Sequence, residues 1–202
     1  MFTTVGVIGS GTIGQAISAH AVGAGLQVRL SNSRGPESLK NLARQLGDQA
    51  HAATVEDAAT ADVVILAVPF VKVPEVGACV GDWTGRMVVD ATNQFARYSP
   101  YGGRAEVGDE TGSEWVARHL PGATVVKAFN AMHGPYVAAD PRHAEGRQVV
   151  FYAGDDTRAN DEFAEMVTRF GFAPVYVGSL REGGKLLQLD GYLNGKHFLM
   201  QG

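Results

Sequence analysis

The stretch Val5–Arg34 reads VGVIGSGTIGQAISAHAVGAGLQVRLSNSR, and its order of residue types decides the fold. Val5, Val7 and Ile8 make a short apolar run that stops at Gly9-Ser10-Gly11-Thr12-Ile13-Gly14, a GxGxxG sequence. Ile13, Ile17, Ala21 and Ala24 then recur at helical spacing as far as Gly25, and Leu26–Leu30 is a second apolar segment. The expected order is strand, glycine turn, helix, strand. A chain with 26 glycines among 202 residues can produce GxGxxG by chance, so the flanking strand and helix give the motif its meaning.

In that setting Gly9 permits a tight turn, Gly11 lets backbone N–H groups approach a pyrophosphate, and Gly14 lets helix and strand pack closely. The phosphates then meet the unpaired N–H groups and positive dipole end of the helix. Gly9, Ser10, Gly11, Thr12 and Ile13 are therefore candidate dinucleotide contacts. The end of the second strand selects the dinucleotide. An acidic residue there would hold the ribose hydroxyls of NAD, whereas its replacement together with an arginine suits the extra phosphate of NADP. This chain has Ser31-Asn32-Ser33-Arg34 and no carboxylate. Asn32 can hold a ribose hydroxyl without repelling phosphate, Ser33 can donate to it, and Arg34 can pair with it through its planar fork. NADP(H) is the expected cofactor.

With 45% hydrophobic and 19% charged residues, the chain is long enough for one well-buried core. A net charge of -4 argues against nucleic acid or an anionic membrane as partner. Cys79 is the only cysteine, which excludes an internal disulfide and any CxxC arrangement. Neither a signal-peptide pattern nor an apolar run of ~20 residues is present, so a cytoplasmic location is expected.

Downstream, Leu39, Leu42, Ala43 and Leu46 predict an amphipathic helix started by Gly35-Pro36. A strand near Gln49–Ala52 and a helix over Val55–Ala59 lead to Asp62–Val68, a continuous apolar run that suits a strand buried on both faces and ends at Pro69. Val71–Val80 reads as a helix broken by Pro74, and Arg86–Asp90 as a strand. The irregular stretch Phe95–Gly112 is long for a compact domain, and a substrate-covering role is weighed against a surface excursion. Ser113 or Thr111 can cap a helix carrying Trp115, Val116 and Leu120, followed by a strand at Thr124–Phe129. Gln148–Ala153 is a further strand, and Asp155 is an N-cap candidate for a helix bearing Phe163, Met166, Val167 and Phe170. Pro174–Val177 is a last short strand, and Leu180–Leu199 a mostly helical, glycine-interrupted tail that suggests packing against a second copy in a homodimer.

Alternating strands and helices imply an α/β fold with a doubly wound, mostly parallel sheet whose ligands sit at the carboxyl ends of the strands. A single unit over residues 1–202 is expected, about 1–153 as dinucleotide-binding core and about 154–202 as a C-terminal portion. Ala67, Val68 and Pro69 would lie beside the ribose and nicotinamide, while Asn93 and Asn130 each follow a strand and could orient the nicotinamide carboxamide or a second ligand. Asparagine is also common in turns for local reasons. His133 is the histidine best placed for a site, though a histidine between methionine and glycine more often bonds the backbone. The six histidines show no metal-ligand spacing, no nucleophile motif is present, and no catalytic residue is assigned. Hydride transfer between a nicotinamide and a flavin-like ring fits that absence, because the rings carry the reactivity.

The blocks GVIGSGTIG, SNSRGPESL, ADVVILAVP, VVDATN, VVKAFNAM and YAGDD, in this order from Val5 to about Val177, resemble the NADP oxidoreductase family typified by NADPH-dependent reductases of coenzyme F420, a deazaflavin. The resemblance implies NADP at Gly9, Ser10, Gly11, Thr12, Ile13, Ser33 and Arg34. It also implies a deazaflavin over the nicotinamide, in a cleft partly closed by the C-terminal portion. Gly35-Pro36 stands where the family often carries a further basic residue, with Lys40 the next cation. The expected activity is hydride exchange between NADPH and a small-molecule acceptor, coenzyme F420 first and an ordinary flavin next. Reduction of a carbonyl or imine, and non-catalytic NADP(H) sensing, are the alternatives.

Overall fold

The computed structural model describes residues 2–97 and 103–201. Strand β1 (Thr4–Ile8), helix α1 (Thr12–Gly23) and strand β2 (Gln27–Ser31) form the expected unit, with Val5 opposite Val28 and Ile8 opposite Ser31 in parallel register. A 3-10 turn at Pro36–Leu39 enters α2 (Lys40–Leu46), which leads to β3 (Ala50–Ala52) on the outer side of β2. Helix α3 (Val55–Ala58) returns the chain to β4 (Val63–Leu66), which pairs with the other side of β1. Helix α4 (Val73–Val80) and strand β5 (Met87–Asp90) follow, then α5 (Gly112–His119) and β6 (Thr124–Ala128). These six strands are parallel in the order β3-β2-β1-β4-β5-β6, so the strand order reverses between β1 and β4.

The remainder adds an antiparallel flank. After α6 (Gly134–Ala138) and β7 (Arg142–His143), the long strand β8 (Gly146–Gly154) runs antiparallel to β6. Helix α7 (Thr157–Phe170), β9 (Ala173–Tyr176), α8 (Glu182–Leu187) and β10 (Leu199–Met200) complete the chain, β9 parallel and β10 antiparallel to β8.

All residues of β4 and β5 are buried, which is why their apolar runs are continuous. Successive residues face opposite sides. Val7, Ile65 and Val89 join Ile17, Leu30 and Phe163 in one core, while Ile8, Leu66 and Val88 join Trp83, Val116 and Leu120 in the other.

Three local expectations are corrected. Pro74 sits in the first turn of α4, where its missing N–H is harmless, and does not break that helix. Asp156, not Asp155, caps α7 by accepting from Ala159 N at 2.8 Å, and Asp155 instead accepts from Leu180 N at 2.9 Å. The tail is helical only over Glu182–Leu187, because loop contacts and strand β10 take over beyond it. At the start of α5 the choice resolves to Thr111, which forms a reciprocal capping box with Glu114. Within Phe95–Gly112, Phe95 bridges Arg104, but Tyr98, Pro100 and Tyr101 lie outside the described residues, and so does the core of the expected substrate-covering loop.

Candidate functional site

The three glycines of the turn do different work. Gly9 has φ +116°, and a Cβ there would lie 2.1 Å from the Ala67 carbonyl oxygen. Its N–H donates to Ser31 O at 2.9 Å, and Ala67 N donates to Ile8 O at 2.9 Å, so the turn is clamped between the ends of β2 and β4. A Cβ on Gly14 would fall 2.0 Å from Gly9 O, which sets how closely α1 approaches β1. Gly11 is exposed and a Cβ there would meet nothing within 4 Å. That open cradle in front of the first turn of α1 is the space an anionic ligand needs. Gln15 holds the turn's shape by donating from Nε2 to Ser10 O at 2.7 Å.

The loop after β2 leans on this turn. Asn32 donates from Nδ2 to the hydroxyls of Ser10 and Ser38, each at 3.1 Å, and its Oδ1 accepts from Arg34 N at 2.9 Å. Ser33 and Arg34 are exposed, and the Arg34 guanidinium makes no ion pair among the described residues. Ala67, Val68 and Pro69 directly follow the end of β4. Together these three strand ends line one cavity of about 640 Å³, a size suited to a small-molecule ligand. Gly9, Ser10, Gly11, Asn32, Ser33, Arg34, Ala67, Val68 and Pro69 thus meet in one place.

The opposite wall was not evident from sequence. It comes from Val55 of α3 and from Lys72, Glu75, Val76 and Cys79 around α4. Lys72 pairs with Glu75. The Cys79 thiol donates to Glu56 Oε1 at 3.0 Å, and that bond, with partial burial and the glutamate's charge, pushes its pKa up. A raised pKa keeps the thiol protonated and a weak nucleophile.

Thr12 and Ile13 begin α1 outside this cavity's wall, and both face Gly134. A Cβ on Gly134 would come within 2.8 Å of Thr12 Cγ2 and 4.0 Å of Ile13 Cδ1. His133, the neighbouring residue, is exposed at the N-cap of α6 and makes no side-chain capping bond. Asn93 and Asn130 are brought together at the ends of β5 and β6. Asn93 Nδ2 donates to Asn130 O at 2.9 Å, Asn130 Nδ2 donates to Asn93 Oδ1 at 3.1 Å, and Asn130 Nδ2 also donates to Leu187 O at 2.7 Å. Sequence placed each asparagine at a strand end but did not pair them.

Below them lies a buried ion pair that sequence reading passed over. Lys127 Nζ lies 3.0 Å from Asp90 Oδ2, and the side chains are 4% and 0% exposed. Burial pushes the Lys127 pKa down, and Asp90 opposes that shift. A lysine inside TVVKAF, with an aspartate closing the preceding VVD strand, was the available signal, since unpaired charges are almost never fully buried. Among the described residues no group of three or more His, Cys, Asp or Glu could hold a metal ion, and no helix is long and apolar enough to cross a membrane.

Residues 4–94, the segment that builds the cavity, match the family model described as NADP oxidoreductase, coenzyme F420-dependent. The match falls on the strands and helices that carry the glycine turn and leaves the rest of the chain outside it. The chain is 37% identical to a hypothetical protein, SMa0349, of Sinorhizobium meliloti, whose solved structure superposes with a TM-score of 0.91 over 100% of this chain and 97% of that one. A structure from Arthrobacter sp. FB24, described as a candidate F420-dependent NADP reductase, shares the fold at 22% identity, with a TM-score of 0.75 over 89% of this chain and 86% of its own. The metalloreductase STEAP3 of Rattus norvegicus is 29% identical over 177 residues, 87% of this chain and 34% of that protein. The chain spans about a third of the length of the curated relatives it matches.

Proposed function

We propose that this chain binds NADP(H) across the glycine turn and exchanges hydride with a planar, flavin-like acceptor, a deazaflavin such as coenzyme F420 first and a flavin next. The observation that carries the reading is the meeting of Ser33 and Arg34, with no carboxylate beside them, at the glycine turn in one cavity. The residues fit the cofactor. The Gly11 cradle is open, Arg34 is free of ion pairs among the described residues, and Asn32 already spans the turn and the β2 loop.

In this reading Arg34 and Ser33 hold the ribose phosphate, and the α1 N-terminus with Ser10 and Gly11 holds the pyrophosphate. Ala67–Pro69 and Val76 supply apolar walls. Asn93 and Asn130 border the nicotinamide half, on the β4-β5-β6 side of the point where strand order reverses. Bound there, the reduced cofactor supplies a hydride. The protein's part is alignment and exclusion of water, and no side chain is assigned as a general acid. Residues 154–202 close the acceptor side, a role supported by Leu187 O accepting from Asn130 and by Gly195 N donating to Ala131 O at 2.7 Å.

The test is anaerobic mixing of the protein with NADPH and oxidised deazaflavin, with riboflavin and FMN in parallel, followed by visible absorbance. Bleaching of the deazaflavin or of a flavin supports the reading, and bleaching by one of them names the acceptor. Tight NADPH binding without hydride transfer to any of the three contradicts it and favours carbonyl or imine reduction, or NADP(H) sensing.

A further inference from the structure

We infer that Asp90 and Lys127 are a positioning pair for the nicotinamide side of the site, acting through Thr92 on Asn93 without touching ligand themselves. The role rests on the NADP(H) reading, whereas the clamp it invokes is a property of the chain alone. Asp90 and Lys127 are register partners on β5 and β6. Asp90 Oδ1 accepts from Thr92 N at 2.9 Å and from Thr92 Oγ1 at 2.7 Å. Its other oxygen accepts from Lys127 Nζ at 3.0 Å and from Ser113 Oγ of α5 at 2.8 Å. Lys127 also donates to the Thr92 carbonyl oxygen. The amide, hydroxyl and carbonyl of Thr92 are therefore all held by two buried side chains.

The core does not require this arrangement. Val88 and Val125, which precede the pair by two residues on the same sheet face, show that apolar side chains pack there. A buried ion pair gives little net stability compared with apolar residues of similar volume, so its retention points to geometry. What it fixes is the residue before Asn93. Asn93 and Asn130 then bind each other, and Asn130 reaches Leu187, so the clamp is passed from β5 and β6 to the C-terminal portion.

Two variants of the full chain test this, Thr92→Val and the double variant Asp90→Leu/Lys127→Met. The double variant removes both charges together, because either alone would leave a buried unpaired partner. Hydrogen exchange without ligand reads the clamp. Amides of Thr92 and Asn93 should exchange faster in the double variant, with the α1 and β1 amides unchanged. Titration reads the consequence. Adenosine 2′,5′-bisphosphate, which reports the adenosine half alone, should bind both variants as it binds the parent, while NADPH affinity falls about tenfold in the double variant, the size of one lost or misplaced hydrogen bond. Thr92→Val should show the same split to a smaller degree.

Unchanged exchange at Thr92 and Asn93 overturns the clamp. Equal weakening of both ligands, tracking a lowered melting temperature, overturns the positioning role and leaves a merely structural pair. If the parent protein binds neither ligand, the cofactor reading fails by itself, and the positioning role built on it falls too, while the exchange result still decides whether the clamp exists.

Discussion

Asn32 donates to the Ser10 hydroxyl at 3.1 Å while its carbonyl oxygen accepts from Arg34 N at 2.9 Å. One carboxamide thus fixes both the glycine turn and the start of the segment that carries Arg34. Asn32→Asp removes the donor and places a carboxylate where an NAD site has one. The expected outcome is a loss of NADPH affinity of about tenfold or more, with NADH affinity unchanged or improved. Parallel titrations of the two cofactors by nicotinamide fluorescence check it, and equal loss of both would show that Asn32 serves the fold alone.

The glycines of the turn should separate folding from binding. Gly14→Ala forces a Cβ to within 2.0 Å of Gly9 O, a backbone atom that cannot step aside. Its cost should be about 1–3 kcal/mol or more, as for overpacking in a filled core. Gly11→Ala meets nothing within 4 Å and sits at φ -77°, an ordinary value for alanine. It should melt like the parent yet bind NADPH more weakly, because the methyl group enters the open cradle. Thermal melts and titrations of both variants read this contrast.

The first half of the chain was legible because its constraints are local. An apolar run ending at GxGxxG, then Ile13, Ile17 and Ala21 at helical spacing, can fold only a few ways, and residues after β2 fall at a strand end by simple counting. The far wall of the cavity was not legible, since Val55, Glu75, Val76 and Cys79 reach it only through the packing of α3 and α4. The pairing of Asn93 with Asn130 depends on β5 and β6 being neighbours in register, which a linear reading does not supply. The tail misled for a related reason. Its glycines looked like interruptions of a helix, but Gly191 sits where a Cβ would be 2.4 Å from Leu186 O, and Gly195 N is held by Ala131 O. Those contacts shape a loop, and helix propensity yields to them.

Asp62 gives a pH dependence with a definite sign. Its Oδ2 accepts from Thr3 N at 2.9 Å, Thr3 Oγ1 at 3.0 Å and Thr4 N at 3.0 Å, tying the start of β1 to the approach to β4. The Thr3 amide foremost, joined by the Thr4 amide and both hydroxyls, holds its carboxyl below the ordinary aspartate value, and outweighs the opposing effect of burial. The folded pKa lies below the unfolded one, so the stabilisation is present above the unfolded value and is lost as pH falls through the folded value. Asp62→Asn should therefore melt below the parent at neutral pH, and the two curves should converge in acid. A difference that persists below the folded pKa would mean that the carboxylate charge is not responsible.

The reading of this chain as an NADP(H) enzyme is tested most directly by titrating NADPH and NADH into the parent protein and into Arg34→Ala. The parent should prefer NADPH by about tenfold or more, the range of a charge-assisted contact to phosphate, and Arg34→Ala should lose most of that preference through NADPH alone. Equal or tighter binding of NADH by the parent, or an NADPH affinity that does not respond to the loss of Arg34, would contradict it.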